Sequence, residues 1–178
     1  MDGRVKTLRP VGRGGLLGVR NAPAPAAAME QHGIGQIDIA WIDLYPFEST
    51  VESGAGFEAC IENIDIGGPA LIRAAAKNHE FVTVVVDPGD YAQVIEEMKA
   101  GDGSTTPEFR KRLAAQAYGR TGAYDAAISG WFSAQVGDTF PPQFAVGGRC
   151  PPPCSNTDIG PVPTVPMCMS DCDSKQGE

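Results

Sequence analysis

No apolar run in this sequence approaches the ~20 residues that a membrane-spanning helix requires. The longest candidates, such as Phe81 to Val86, are strand-sized. The opening stretch MDGRVKTLRP has charges with no apolar segment behind them, so no secretory signal is expected there. The expected compartment is the cytoplasm. Basic residues are also in deficit, 14 Lys and Arg against 22 Asp and Glu, for a net charge of −8. Non-specific nucleic-acid binding needs a basic surface, so nucleic acid is not an expected partner. A small anionic ligand stays open, because a basic pocket can sit on an acidic protein. Arg4, Lys6, Arg9 and Arg13 are such a local concentration, or simply a solvated basic start.

Familiar catalytic signatures are missing too. The sequence has no Walker A loop, no HExxH and no GxSxG, and no internal repeat. Cysteine is scarce in the body of the chain. Cys60 lies in a helical pattern and reads as a small buried apolar residue. Cys150, Cys154, Cys168 and Cys172 fall in the last 29 residues. Their two Cys-x3-Cys spacings are compatible with a four-thiolate zinc site, but the proline-rich surroundings do not build the turns that aim such ligands. No metal site is expected.

What is present is a globular composition, 42% hydrophobic over 178 residues, enough for one domain with a core. Composition changes near Pro141, with eight prolines in the final 38 residues. A folded domain is expected over residues 1–146, followed by an irregular Pro/Cys-rich tail over 147–178. Ile37 to Leu44 and Phe81 to Val86 read as strands apolar on both faces, the pattern of a sheet covered on both sides. Helical patterns occupy 24–33, 57–63, 69–77, 88–99 and 107–135, the last with a break expected around Gly119 or Gly122. Residues 14–20 read as a turn or short helix. Strands alternating with helices imply an α/β domain with a parallel sheet. Two strands are few for such a sheet, so it looks incomplete at one end.

The chemistry-bearing candidates follow from this layout. Asp65-Ile66-Gly67-Gly68-Pro69 places two glycines ahead of a helix, where backbone can approach a ligand and the helix N-terminus presents N–H groups. The alternative is a tight turn capped by Asp65. Asp43 and Tyr45 follow a strand, and in open α/β sheets ligands bind beyond the carboxyl ends of strands. Alternatively, Tyr45 packs on Pro46 and Phe47. Lys6-Thr7 offers an ammonium and a hydroxyl for a phosphate or a carbonyl. Arg73 and Lys77, four residues apart, share a helix face and read equally as a solvated basic stripe. His79 ends that helix, where a cation is favoured without any catalytic role.

Five segments in order carry a family resemblance: DGRVKTL at 2–8, GGLLGVR at 14–20, LYPFEST at 44–50, IENIDIGGPALIRAAAKNH at 61–79 and TGAYDAAISGWF at 121–132. Together they resemble the cyclohydrolase domain of the bifunctional AICAR transformylase/IMP cyclohydrolase family. The resemblance implies a three-layer domain of methylglyoxal synthase-like type. It implies ring closure of formyl-AICAR to IMP, in which the carboxamide nitrogen attacks the formyl carbon and water leaves. No cofactor is implied, the partner is a purine nucleotide, and a homodimer is possible. By the same resemblance, Lys6, Tyr45, Asp65 and Lys77 match the catalytic positions. Asp65 corresponds to the base or amide orienter; the other three stand around the formyl oxygen and the proton transfers. Arg4, Thr7, Asp43, Ile66, Gly67 and Gly68 match positions that line the nucleotide.

The sequence departs from the family pattern in several places. Lys6-Thr7-Leu8-Arg9-Pro10 and the following Val11-Gly12-Arg13-Gly14 lack both histidines of the family's KTLHP and histidine-glycine segments. Asp43 stands where the family usually has asparagine, and an added carboxylate disfavours an anionic ligand nearby. The family's upstream strands and phosphate loops and its transformylase domain have no counterpart here, and the tail resembles none of it. A domain truncated at both ends is therefore expected, with activity weak or lost; a shifted reading frame or a damaged gene copy would explain the tail. The alternatives are a non-catalytic nucleotide-binding or dimerising remnant, and a zinc-binding tail on an inert fragment. Were 65–77 one straight helix, Asp65 and Lys77 would stand ~18 Å apart, too far to share a small reacting centre.

Overall fold

The computed structural model describes residues 10–137. Arg4, Lys6, Thr7, Arg9 and the four tail cysteines lie outside the described residues, as does the boundary expected near residue 146. The chain runs α1 (Pro10–Leu17), α2 (Pro23–Gln31), β1 (Ile39–Trp41), α3 (Phe47–Glu52), α4 (Phe57–Glu62), α5 (Gly67–Lys77) and β2 (Thr83–Val85). A 3-10 turn at Pro88–Asp90 then leads into α6 (Tyr91–Ala100), and α7 (Pro107–Val136) follows. Among the described residues the sheet has two strands, β1 and β2. They pair in parallel, Ile39 opposite Thr83 and Trp41 opposite Val85. The expected α/β class with a short parallel sheet is what the fold contains.

Successive residues of β2 face opposite sides. Val82 and Val84 join Ala40, Ile72, Ala75, Ala76, Ala114 and Ala117 in one buried cluster, beneath α5 and α7. Val85 turns the other way, onto Val94 of α6 and Phe109 and Leu113 of α7. Helices thus cover both faces of β2, the three-layer arrangement expected, and all three of its residues are buried. The small side chains Ala74, Ala75 and Ala76 let α5 lie close against its neighbours.

Several elements differ from the sequence expectation. The two strands are shorter than their apolar runs, because ladder bonds form only where each finds its partner, from Thr83 N–H to Asp38 O (2.8 Å) through Ile42 N–H to Val85 O (3.0 Å). β1 is not covered on both faces: Ala40 is buried while Trp41 is 52% exposed. Trp41 meets Tyr91 edge to face at 5.9 Å. On α6, Val94 and Met98 pack inward, whereas Tyr91 and Ile95 are exposed. α3 was not expected. Its FESTVE sequence has weak helix formers, and burial of Phe47 together with Thr50 and Ser49 hydroxyls on Pro46 O holds it. α7 is continuous through Gly119 and Gly122. Each glycine costs a helix about 1 kcal/mol relative to alanine, and the packing of α7 on α5, β2 and α3 outweighs it. The helix stops where Gly137 adopts a left-handed conformation (φ 72°).

Candidate active site around Asp65

The turn between α4 and α5 is fixed from both sides. Asn63 closes α4 with its own side chain, Nδ2 donating to Ala59 O at 2.9 Å. Two residues on, the Asp65 carboxylate splits its two oxygens. Oδ1 accepts from Gly68 N–H at 2.8 Å, capping the first turn of α5. Oδ2 accepts from Tyr45 N–H at 3.3 Å, across from the segment that leaves β1. One carboxylate therefore joins the end of a strand to the start of a helix.

Glycine is required at 68 because of this closeness. A Cβ there would stand 2.5 Å from Asp65 Oδ2 and 2.8 Å from Leu44 Cδ2. Gly67 and Gly68 are buried, whereas Ile66 is 58% exposed and Tyr45 43% exposed. Asp43 is exposed on the same stretch after β1. Asp65, Gly67, Gly68 and Tyr45 are thus brought together at the carboxyl end of β1, with Ile66 beside them.

Lys77 stands elsewhere. α5 begins at Gly67 and Lys77 is its last residue, so the helix puts about 15 Å between the two ends. Lys77 is exposed there. Arg73, one turn earlier, is also exposed and lies over the Tyr118 ring at 5.4 Å. The His79 Nδ1 is within 3.1 Å of Ala76 O at the helix end. Cys60 is buried, its thiol on Ala55 O, as a structural cysteine. No three His, Cys, Asp or Glu side chains are grouped for a metal ion among the described residues.

Residues of α7 not singled out in the sequence hold the site from behind. The Tyr124 hydroxyl accepts from Asp65 N–H at 2.9 Å and donates to Asn63 O at 3.1 Å. The side chain is fully buried. Burial pushes its hydroxyl pKa up, and the nearby Asp65 and Glu48 carboxylates act in the same direction, against the Asp65 N–H and Arg120. The phenol therefore stays protonated and keeps its donor at neutral pH. One turn earlier, Arg120 lies over the Tyr124 ring at 5.4 Å and pairs with Glu48 of α3 at 2.7 Å. Partial burial pulls the Glu48 carboxyl upward, but the Arg120 hydrogen bond and charge, with a backbone hydrogen bond, hold it below its ordinary value. Phe47 completes the support, edge to face with Tyr124 and with Trp131.

The chain is similar to several known proteins. The family model described as AICARFT/IMPCHase bienzyme matches residues 75–150. The bifunctional purine biosynthesis protein PurH of Caulobacter vibrioides is 59% identical over 148 residues, covering 83% of this chain and 28% of that protein. The chain belongs to the AICARFT/IMPCHase family. PurH of Parvibaculum lavamentivorans is 60% identical over 148 residues, 83% of this chain and 27% of its own length. A solved structure described as the crystal structure of ForH superposes with a TM-score of 0.62 at 36% identity, covering 74% of this chain and 69% of that one. The chain spans a little over a quarter of the length of the curated PurH relatives it matches. Membership in the AICARFT/IMPCHase family agrees with the resemblance drawn from the five ordered segments. No helix among the described residues is long and apolar enough to cross a membrane.

Proposed function

We propose that this chain carries an IMP cyclohydrolase-type site and serves de novo purine synthesis by closing formyl-AICAR to IMP. The observation that carries the reading is the Asp65 carboxylate, held between Tyr45 N–H and Gly68 N–H beside two buried glycines. A carboxylate so fixed can accept a proton from a carboxamide nitrogen as that nitrogen attacks the formyl carbon. The oxygen of the formyl group then takes protons and leaves as water. The Tyr45 hydroxyl and the Lys6 ammonium supply donors for that oxygen in this reading. The N-terminus of α5, with Ile66, Gly67 and Gly68, faces the purine ring, while Arg4, Thr7 and Asp43 border the nucleotide. Lys77 is one helix length from Asp65, so its part in the reaction requires a homodimer in which it serves the partner's site. The compartment proposed is the cytoplasm, and no cofactor enters the chemistry.

The test is direct. Purified chain is incubated with formyl-AICAR, and IMP formation is followed by ultraviolet absorbance, with Asp65→Asn as the control. Turnover that depends on Asp65 supports the reading. Nucleotide binding without turnover supports instead the non-catalytic remnant, and neither binding nor turnover discards both.

A further inference from the structure

We propose that Tyr124 is a positioning residue for Asp65, acting through the backbone of the 63–65 turn; this rests on the reading of Asp65 as the reacting carboxylate. The geometry carries it. A phenol has one donor and two acceptor lone pairs. Here both capacities are used on one turn, the N–H of Asp65 entering and the carbonyl of Asn63 receiving. The two bonded groups flank Ile64, so the hydroxyl fixes the path of the chain immediately before the carboxylate. The carboxylate in turn has little freedom, because its oxygens are committed to Tyr45 N–H and Gly68 N–H.

The placement of Tyr124 is itself over-determined. Its ring is fully buried, meets Phe47 edge to face at 6.2 Å and lies under the Arg120 guanidinium. Arg120 also grips Glu48, three residues beyond Tyr45. One turn of α7 thus holds the segments bearing both Tyr45 and Asp65. Any buried tyrosine hydroxyl needs partners; here both of them lie on the turn that delivers the carboxylate.

Tyr124→Phe removes the hydroxyl and keeps the ring. The expected result is a fall of about tenfold or more in kcat on formyl-AICAR with KM little changed. Faster amide hydrogen exchange at Gly68 and Tyr45, relative to the rest of the molecule, should accompany it. Tyr118→Phe deletes another hydroxyl of α7, whose contact with Arg73 O is 3.5 Å, and should move neither readout. Unchanged kcat in Tyr124→Phe, or Gly68 and Tyr45 amides exchanging as before, overturns the proposal. If the wild-type chain shows no turnover, the activity reading fails, and the exchange data still decide the positioning role. Should Tyr124→Phe not fold, 3-fluorotyrosine incorporated at position 124 alone keeps the ring and the hydroxyl but weakens the oxygen as an acceptor from Asp65 N–H. The Gly68 and Tyr45 amides should then exchange faster than in the wild-type chain. Amides that exchange as before overturn the proposal equally.

Discussion

The two ends of α5 come from one unbroken stretch of sequence, 61–79, yet they do different work. At the first end, polar groups converge on a carboxylate that stays partly accessible: Gly68 N–H and Tyr45 N–H on its oxygens, Tyr124 behind its backbone. At the other end, polar side chains are consumed by main-chain carbonyls. Asn78 is buried, and its Nδ2 donates to Leu16 O at 2.7 Å and Gly18 O at 3.1 Å, stitching α5 to the end of α1. Arg110 of α7 donates to His79 O at 2.9 Å and Glu80 O at 2.8 Å. The same family segment thus has one end where backbone donors gather on a carboxylate and another where side chains tie neighbouring elements together.

The comparison breaks most sharply at Asp65. Asn keeps one acceptor for Gly68 N–H but turns its NH2 toward Tyr45 N–H, so Asp65→Asn should cost about 1–3 kcal/mol of stability. It removes the proton acceptor, for which losses of about 10²–10⁴-fold in turnover are typical. Equal loss of stability and activity would make Asp65 a cap and nothing more. Gly68→Ala comes next. Alanine improves helix propensity by about 1 kcal/mol, but its Cβ would displace the carboxylate or Leu44, with overpacking of about 1–3 kcal/mol in the other direction. Thermal unfolding should therefore shift modestly while turnover falls further than stability does. An alanine that leaves turnover intact would show that the tight approach of the glycine has no functional part.

Asn78→Ala sharpens the other side. It leaves two carbonyls without their side-chain donor, and an unsatisfied buried group costs about 1–3 kcal/mol. Denaturant unfolding should register that loss, and turnover per folded molecule should stay as it was. A specific loss of turnover would erase the distinction between the two ends.

How much of this was legible beforehand follows from how local each signal is. Asp65-Ile66-Gly67-Gly68 could be read as a cap and a close approach because both involve residues three positions apart. The buried strand at 83–85 was legible in its run of valines. β1 was legible as a strand but not as a half-exposed one, since its exposure depends on whether a partner lies on its outer side, and Trp41 in sequence looks like any core aromatic. α3 was hidden by its serine, threonine and valine, and forms because Phe47 finds Tyr124 and Trp131 from a distant helix. Tyr124 itself lies in the family segment at 121–132, which marks no role for it. Its hydroxyl serves Asp65, 59 residues away, and nothing in the local pattern of a long helix marks that. The separation of Lys77 from Asp65 was foreseeable from helix rise alone.

The smallest expected effect tests whether α7 truly clamps both segments. Glu48 is the α3 end of that clamp, and Arg120 holds its carboxyl below the ordinary range against the upward pull of partial burial. A carboxyl with a lowered folded pKa binds its proton more weakly in the native state. Its contribution is present above the unfolded value of about 4.3 and is lost as pH falls through the folded value. Stability measured from neutral pH downward should therefore decline below about pH 4.3, and Glu48→Gln should remove part of that slope. The pair is partly exposed, so water and salt screen it and the change is small. Its direction still discriminates. If Glu48→Gln flattens the acid limb and also loosens the Tyr45 amide, α3 transmits the grip of α7 to the site. If the limb flattens and the amide is unmoved, the grip ends at α3, and Tyr124 alone connects α7 to Asp65.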